Sequence, residues 1–155
     1  MQEEYIAKIQ EHSGIIHKVI MLYIYDEEEK ADVYQEILYQ GWKSYTSFKG
    51  QSKFSTWLYK VALNTVLTMR RKEGRRLDKT GLSHDQFPAA PQERSEKAEL
   101  LYRAISTLNE VDRAIITLHL DGYANEEVAE IMGITVNHTS VKLHRIKKNL
   151  SQKLQ

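Results

Sequence analysis

KGQSKFSTWLYKVALNTVLTMRRK, residues 49–72, carries two messages at helical spacing. Phe54, Trp57, Leu58, Val61, Ala62, Thr65, Val66 and Met69 recur so that one side of a helix can pack into a core while the other stays wet. The wet side is cationic: Lys49, Lys53 and Lys60 lead to Arg70, Arg71 and Lys72, with Gln51, Ser52, Tyr59 and Asn64 between them. That mixture suits a polyanion whose bases are stacked on or hydrogen-bonded. Trp57 falls on the apolar stripe and is expected in the core, which leaves Tyr59 as the exposed aromatic. Ser52 or Ser55 is expected to cap the helix, beside a turn at Gly50.

Outward from this stretch the chain reads as all-α. Residues 3–25 predict one helix through Ile6, Ile9, Ile16, Val19, Ile20 and Tyr23, ending near the acidic run Asp26–Glu29, whose charge favours the start of the next helix. That helix, about 29–44, is expected to turn Val33, Ile37, Leu38 and Trp42 inward and Asp32, Gln35 and Glu36 outward. Both prolines of the chain lie in 73–92, together with two glycines and no sustained period, a linker composition. The expected organisation is therefore two small helical domains, 1–74 and 95–155, joined by a flexible linker over 75–94.

In the second half, a helix at 93–107 is expected to bury Leu100, Leu101, Ala104, Ile105 and Leu108. Asn109, with Asp112 three residues on, predicts the cap of a helix through Val111, Ala114, Ile115, Leu118 and Leu120 that stops at Asp121-Gly122. Asn125 is read as the cap of a short helix burying Val128, Ala129 and Met132. Gly133 then permits a sharp turn, Ile134 anchors it and Thr135 caps a longer helix. This is a helix-turn-helix pattern. Thr139, Leu143, Ile146 and Leu150 should bury, leaving Asn137, His138, Ser140, Val141, His144 and Arg145 outward and Lys142, Lys147 and Lys148 placed for phosphates.

The net charge of +1 over 155 residues hides a segregation. Residues 1–36 hold three basic and nine acidic side chains, and residues 37–81 hold ten and two. Residues 82–131 hold four and ten, whereas residues 132–155 hold five basic side chains and none acidic. Two cationic blocks separated by anionic ones point to two anion-binding surfaces on two bodies.

These blocks together resemble the extracytoplasmic-function sigma factors, the compact bacterial class that keeps the second and fourth sigma domains. The resemblance spans nearly the whole chain. It rests on Asp32-Val33-Tyr34-Gln35-Glu36, Trp42, Phe48-Lys49-Gly50, Phe54 through Asn64 and Arg70-Arg71 in the first half. In the second half it rests on Leu108, Asp112-Arg113, Gly122-Tyr123, Glu126 through Ile134 and Val141 through Arg145. It implies that Asp32, Gln35 and Glu36 dock on the RNA polymerase core. It implies that the region from Lys49 to Ser55 (Lys49, Gln51, Ser52, Lys53), with Tyr59, Lys60, Asn64, Arg70 and Arg71, opens and reads the minus-ten promoter element. It implies that Asn137, Ser140, Val141, Lys142, His144, Arg145 and Lys148 serve the minus-thirty-five element. Many members carry a small, a β-branched and then a basic residue where this chain has Asn137-His138-Thr139-Ser140. The family commonly pairs with an anti-sigma factor, so one is expected as a further partner.

Other classes fit less of the chain. The six histidines form no H-x-x-x-H pair, and neither a Gly-rich phosphate loop nor a nucleophile elbow is present, so no enzyme, cofactor, metal site or small-molecule substrate is expected. The lack of cysteine removes disulfides and thiolate sites. With no signal-like start and no apolar run of the roughly 18 residues a bilayer span needs, the chain reads as cytoplasmic, without membrane insertion. A stand-alone helix-turn-helix regulator leaves the acidic face around Asp32 unexplained, and a helical partner-sequestering protein leaves both basic blocks idle.

Overall fold

The computed structural model describes residues 2–80 and 95–155, with side chains over 2–74 and 95–155. Among the described residues there are eight α-helices and no strand. The chain divides into two compact units, residues 1–86 and 87–155. The division falls within the expected linker, of which 81–94 lies outside the described residues. The preceding part, up to Thr80, continues a helix rather than beginning a loop.

The first unit contains α1 (Gln2–Glu11), α2 (Ser13–Tyr23), α3 (Glu27–Tyr45) and α4 (Phe54–Thr80). The single helix expected over 3–25 is two. At His12 the backbone opens to φ −115° and ψ 20°, where Ser13 and Gly14, both weak helix formers, follow. The break lets Tyr5 and Ile9 pack separately from Ile16, Val19, Ile20 and Tyr23, all buried, while Ile6 is left exposed. The acidic run caps α3 as expected: the Asp26 carboxylate accepts the Glu28 N–H at 3.3 Å, and Glu27, Glu28 and Glu29 fill the first turn, favourable to the helix dipole. Val33 and Ile37 are fully buried, Leu38 is half-buried, and Trp42 is outward at 38% exposure, against expectation.

Helix α4 packs on both α2 and α3, so its buried arc is wider than one stripe. Leu58, Ala62 and Val66 are at its centre, Thr65 is buried, and Tyr59 and Leu63 are taken in on the far flank. Phe54, Trp57, Val61 and Met69 are half-buried. Burying side chains of the size of Ile16, Ile37 and Leu58 contributes about 1.5–3 kcal/mol each.

The second unit contains α5 (Glu96–Ser106), α6 (Glu110–Leu120), α7 (Asn125–Met132) and α8 (Val136–Lys153). Its core is Ile105, Leu108, Ala114, Ile115, Ile116, Leu118, Val128, Ala129, Ile131, Leu143, Ile146 and Leu150. Ile116 and Ile131 join it beyond expectation, whereas Leu100, Val111 and Leu120, expected inside, are exposed. Helix α6 is touched by α5, α7 and α8, so its buried face is a continuous run from Arg113 to Leu118. The buried Arg113 guanidinium donates to the carbonyls of Ser106 and Leu108 at 3.0 and 3.1 Å, fastening the turn between α5 and α6. No helix among the described residues is long and apolar enough to cross a membrane.

Candidate nucleic-acid interface

The helix-turn-helix is assembled from local rules. Asn109 caps α6, its side chain accepting the Asp112 N–H at 2.8 Å. Helix α6 ends at Leu120 with Asp121 as its C-cap, and Gly122 follows with φ +94°. Helix α7 starts one residue earlier than expected: Ala124 holds the cap position, and the Glu127 carboxylate accepts the Ala124 N–H at 3.2 Å. Asn125, displaced from capping, reaches across to donate to the Ser140 hydroxyl of α8 at 3.1 Å. Gly133 adopts φ +71°, ψ 33°, the left-handed conformation that favours glycine, and the Ile134 N–H returns to the Ala129 carbonyl at 3.1 Å. Thr135 caps α8, accepting the His138 N–H at 3.0 Å.

Thr139, Leu143, Ile146 and Leu150 face the core as the spacing requires. Asn137, Val141, His144 and Lys148 consequently share one outward line, with Ser140 and Arg145 beside it, all exposed. The Ser140 hydroxyl donates to the Val136 carbonyl at 3.2 Å while accepting from Asn125, so its orientation is set before any ligand arrives. Lys142 departs from expectation. It is partly buried, and its ammonium lies 3.4 Å from the Asp112 carboxylate, tying α8 to the start of α6 instead of pointing to a phosphate. That pair was hidden in the sequence because its members stand thirty residues apart. With no acidic residue in its first turn, the N-terminus of α8 presents its dipole and outward polar groups to an anion.

In the first unit the cationic surface is a loop plus a helix face. After α3 the chain turns through Ser47 and Phe48, whose N–H groups return to the Ser44 and Tyr45 carbonyls, both at 3.0 Å. Lys49, Gln51 and Lys53 are exposed and Ser52 half-buried, around Gly50 at φ +72°. The Lys53 carbonyl accepts the Trp57 N–H at 3.1 Å, so Lys53 occupies the cap position in place of Ser52 or Ser55. Lys60, Asn64 and Arg71 continue one exposed line along α4.

Two expected members leave this surface. Tyr59, expected as the exposed aromatic, is 2% exposed, because the second flank of α4 is also covered. Arg70 turns inward: its guanidinium donates to the carbonyl of Tyr23, the last residue of α2, and lies 5.8 Å from that ring's centroid. A cation there meets the negative end of the α2 dipole.

The aromatic side chains nearest the loop form a connected group. Phe48 stacks on Trp57 at 5.2 Å, Phe54 lies 5.3 Å from Trp57, and Tyr45 lies 6.0 Å from Trp57. Tyr5 of α1 joins through Trp42 at 5.3 Å and Tyr45 at 5.2 Å. Its buried hydroxyl donates to the Leu38 carbonyl at 2.8 Å. Burial, with a smaller contribution from Tyr34, pushes that hydroxyl's pKa from 10.0 up to about 12, so it stays a donor well above neutral pH. Tyr5 and Tyr45 stand outside the expected site, although ring-bearing residues on both sides of a short loop are a signal present in the sequence.

On α3, Asp32 and Gln35 are exposed, as expected, and Glu36 is half-buried, accepting from the Gln40 amide at 2.8 Å. Tyr39, 56% exposed, extends the same face, with the Lys43 ammonium 5.2 Å from its ring centroid.

Comparison with known proteins agrees with this division into a loop-bearing unit and a helix-turn-helix unit. Residues 9–76 match the Sigma-70 region 2 family model and residues 98–150 match Sigma-70, region 4. An ECF RNA polymerase sigma-E factor of Escherichia coli K12 is 32% identical over 139 residues, covering 80% of this chain and 73% of that protein. The chain belongs to the extracytoplasmic-function sigma factors. A sigma-E factor of Haemophilus influenzae is 30% identical over 139 residues, covering 80% of this sigma factor and 74% of its relative. The fold is shared with the sigma factor RpoE of Bartonella quintana, solved with the anti-sigma factor NepR. The TM-score is 0.81 at 22% identity, over 98% of this sigma factor and 97% of that chain. It is also shared with CnrH, solved with the cytosolic domain of CnrY, with a TM-score of 0.68 at 17% identity over 99% and 89% of the two chains. As a sigma factor, the protein acts in transcription through RNA polymerase and DNA.

Proposed function

We propose that this sigma factor brings bacterial RNA polymerase core to its promoters through three separate surfaces and takes part in initiation without catalytic chemistry of its own. Asp32, Gln35 and Glu36 dock on the core, an acid and amide set on an accessible helix face suited to arginine on a partner helix. The loop 49–53, with Lys60, Asn64 and Arg71, holds the opened minus-ten strand. Helix α8 enters the major groove at the minus-thirty-five element with Asn137, Ser140, Val141, His144, Arg145 and Lys148. The observation that carries the reading is the outward line of α8, polar and basic, held on a capped helix-turn-helix whose opposite side is core. Tyr59 and Arg70 support the first unit from within, and Lys142 braces α8 against α6. An anti-sigma factor is the natural further partner, as for the Bartonella quintana neighbour, and the site of action is the cell interior.

Purified protein mixed with polymerase core is expected to give promoter-dependent initiation. Arg145→Ala should lose about 1–3 kcal/mol of discrimination at the minus-thirty-five element, the value of a bidentate guanine contact, with core binding unchanged. Asp32→Ala combined with Gln35→Ala should weaken core association and leave duplex contact intact. Duplex binding with no core association would instead favour a stand-alone regulator.

A further inference from the structure

The loop 49–53 is short, carries a left-handed glycine and has no regular structure of its own, yet reading an unpaired strand needs its groups held in place. Its two feet are held by rings. On the α3 side stand Tyr45 and Phe48, 6.3 Å apart; on the α4 side stand Phe54 and Trp57, each near Phe48 at 6.0 and 5.2 Å. Helix α1 lies against both feet. Tyr5 packs on Tyr45, the Lys8 ammonium sits 5.9 Å from the Tyr45 centroid and 5.6 Å from that of Phe54, and His12 approaches Phe54 at 5.0 Å. On α3, Tyr5 also donates to the Leu38 carbonyl and lies over Gly41, where an added Cβ would come within 2.4 Å of the Tyr5 hydroxyl oxygen.

We infer that α1 is a positioning element for minus-ten recognition, with Tyr5, seated on Gly41, setting the loop 49–53 through the ring cluster without touching DNA. The inference rests on the assignment of that loop to the minus-ten strand. Gly41 is the residue that admits the tyrosine, which explains a glycine inside a 19-residue helix where it weakens helix propensity.

The test uses full-length holoenzyme and a promoter DNA pool randomised in both elements, with retained molecules sequenced. Tyr5→Leu is expected to cut enrichment at the minus-ten positions about tenfold, leaving minus-thirty-five enrichment and core affinity as in the wild type, and Tyr5→Phe is expected to restore most of it because the ring contacts persist. Gly41→Ala keeps α3 helical while displacing Tyr5, so it should reproduce the loss even where Tyr5→Leu folds poorly. Gln51→Ala and Lys53→Ala serve as direct loop controls. Loss with the loop variants but unchanged minus-ten enrichment in Gly41→Ala and Tyr5→Leu overturns the inference alone. No loss with the loop variants overturns the assignment of the loop itself, and the role of α1 with it.

Discussion

The two cationic surfaces of this sigma factor are built by opposite means. In the second unit the groups proposed to read DNA stand on α8, an 18-residue helix, and their directions follow from cap, turn and core on the same stretch of chain. In the first unit they stand partly on a loop of irregular backbone, and what holds it comes from α1, α3 and α4 together. A helical surface inherits its order from local hydrogen bonds and spacing, whereas a loop must be given order by its neighbours. The first surface should therefore respond to changes far away in sequence, and the second mainly to changes nearby.

The largest effect expected from this contrast is at Gly133. A valine there would be held at φ +71°, a conformation costing a β-branched residue about 1–3 kcal/mol. An added Cβ at Gly133 meets no neighbour within 4 Å, so backbone strain is the cause on which the prediction rests. Gly133→Val should lower hydrogen-exchange protection in α7 and α8 and weaken minus-thirty-five binding while minus-ten reading persists. Equal loss at both elements would break the comparison.

Lys60 and Arg70 offer a sharper contrast inside one helix. Lys60→Ala should weaken DNA binding evenly across sequences and lower the slope of log affinity against log salt by about 1. Arg70→Ala should leave that slope unchanged and instead lower the melting temperature of the first unit, since a charge-assisted hydrogen bond of this kind contributes about 1.5–3 kcal/mol. Both tryptophans of the chain, Trp42 and Trp57, lie in the first unit, so tryptophan fluorescence follows its unfolding selectively. A change of salt slope in Arg70→Ala would return that residue to the DNA surface.

The smallest expected effect is alkaline. The folded-state pKa of Tyr5 is raised from 10.0 to about 12, so the stability it contributes is fully present below pH 10.0 and is lost as pH rises through about 12. Tryptophan fluorescence should report loosening of the ring cluster across that window, and Tyr5→Phe, with no proton to lose, should lack that component. An identical alkaline profile in both proteins would mean that the hydroxyl of Tyr5 does not hold α1.

Much of the second unit was legible without coordinates. Asn109, Gly133, Thr135 and the series Thr139, Leu143, Ile146, Leu150 act over three to seven residues, the range in which spacing and caps determine backbone and face. Spacing is less informative in α4, where one stripe implies an exposed Tyr59, and at Leu100, Val111 and Leu120, where apolar character implies burial but the side chains are exposed. Periodicity reports which side of a helix is greasy, but the width of the buried arc depends on how many neighbours the helix has. Arg70 and Lys142 look like surface groups in the sequence for the related reason that a partner can engage a charged side chain from anywhere in the chain.

By itself the sequence determined the all-helical character, the separation into two units, the segregation of charge and the outward side of α8, because each depends on residue type and short-range spacing. Only the tertiary structure decided that α1 stands on the feet of the loop, that Arg70 closes α2 and that Lys142 faces Asp112. Those are contacts between residues thirty or more positions apart, and their geometry depends on where packed helices bring side chains together.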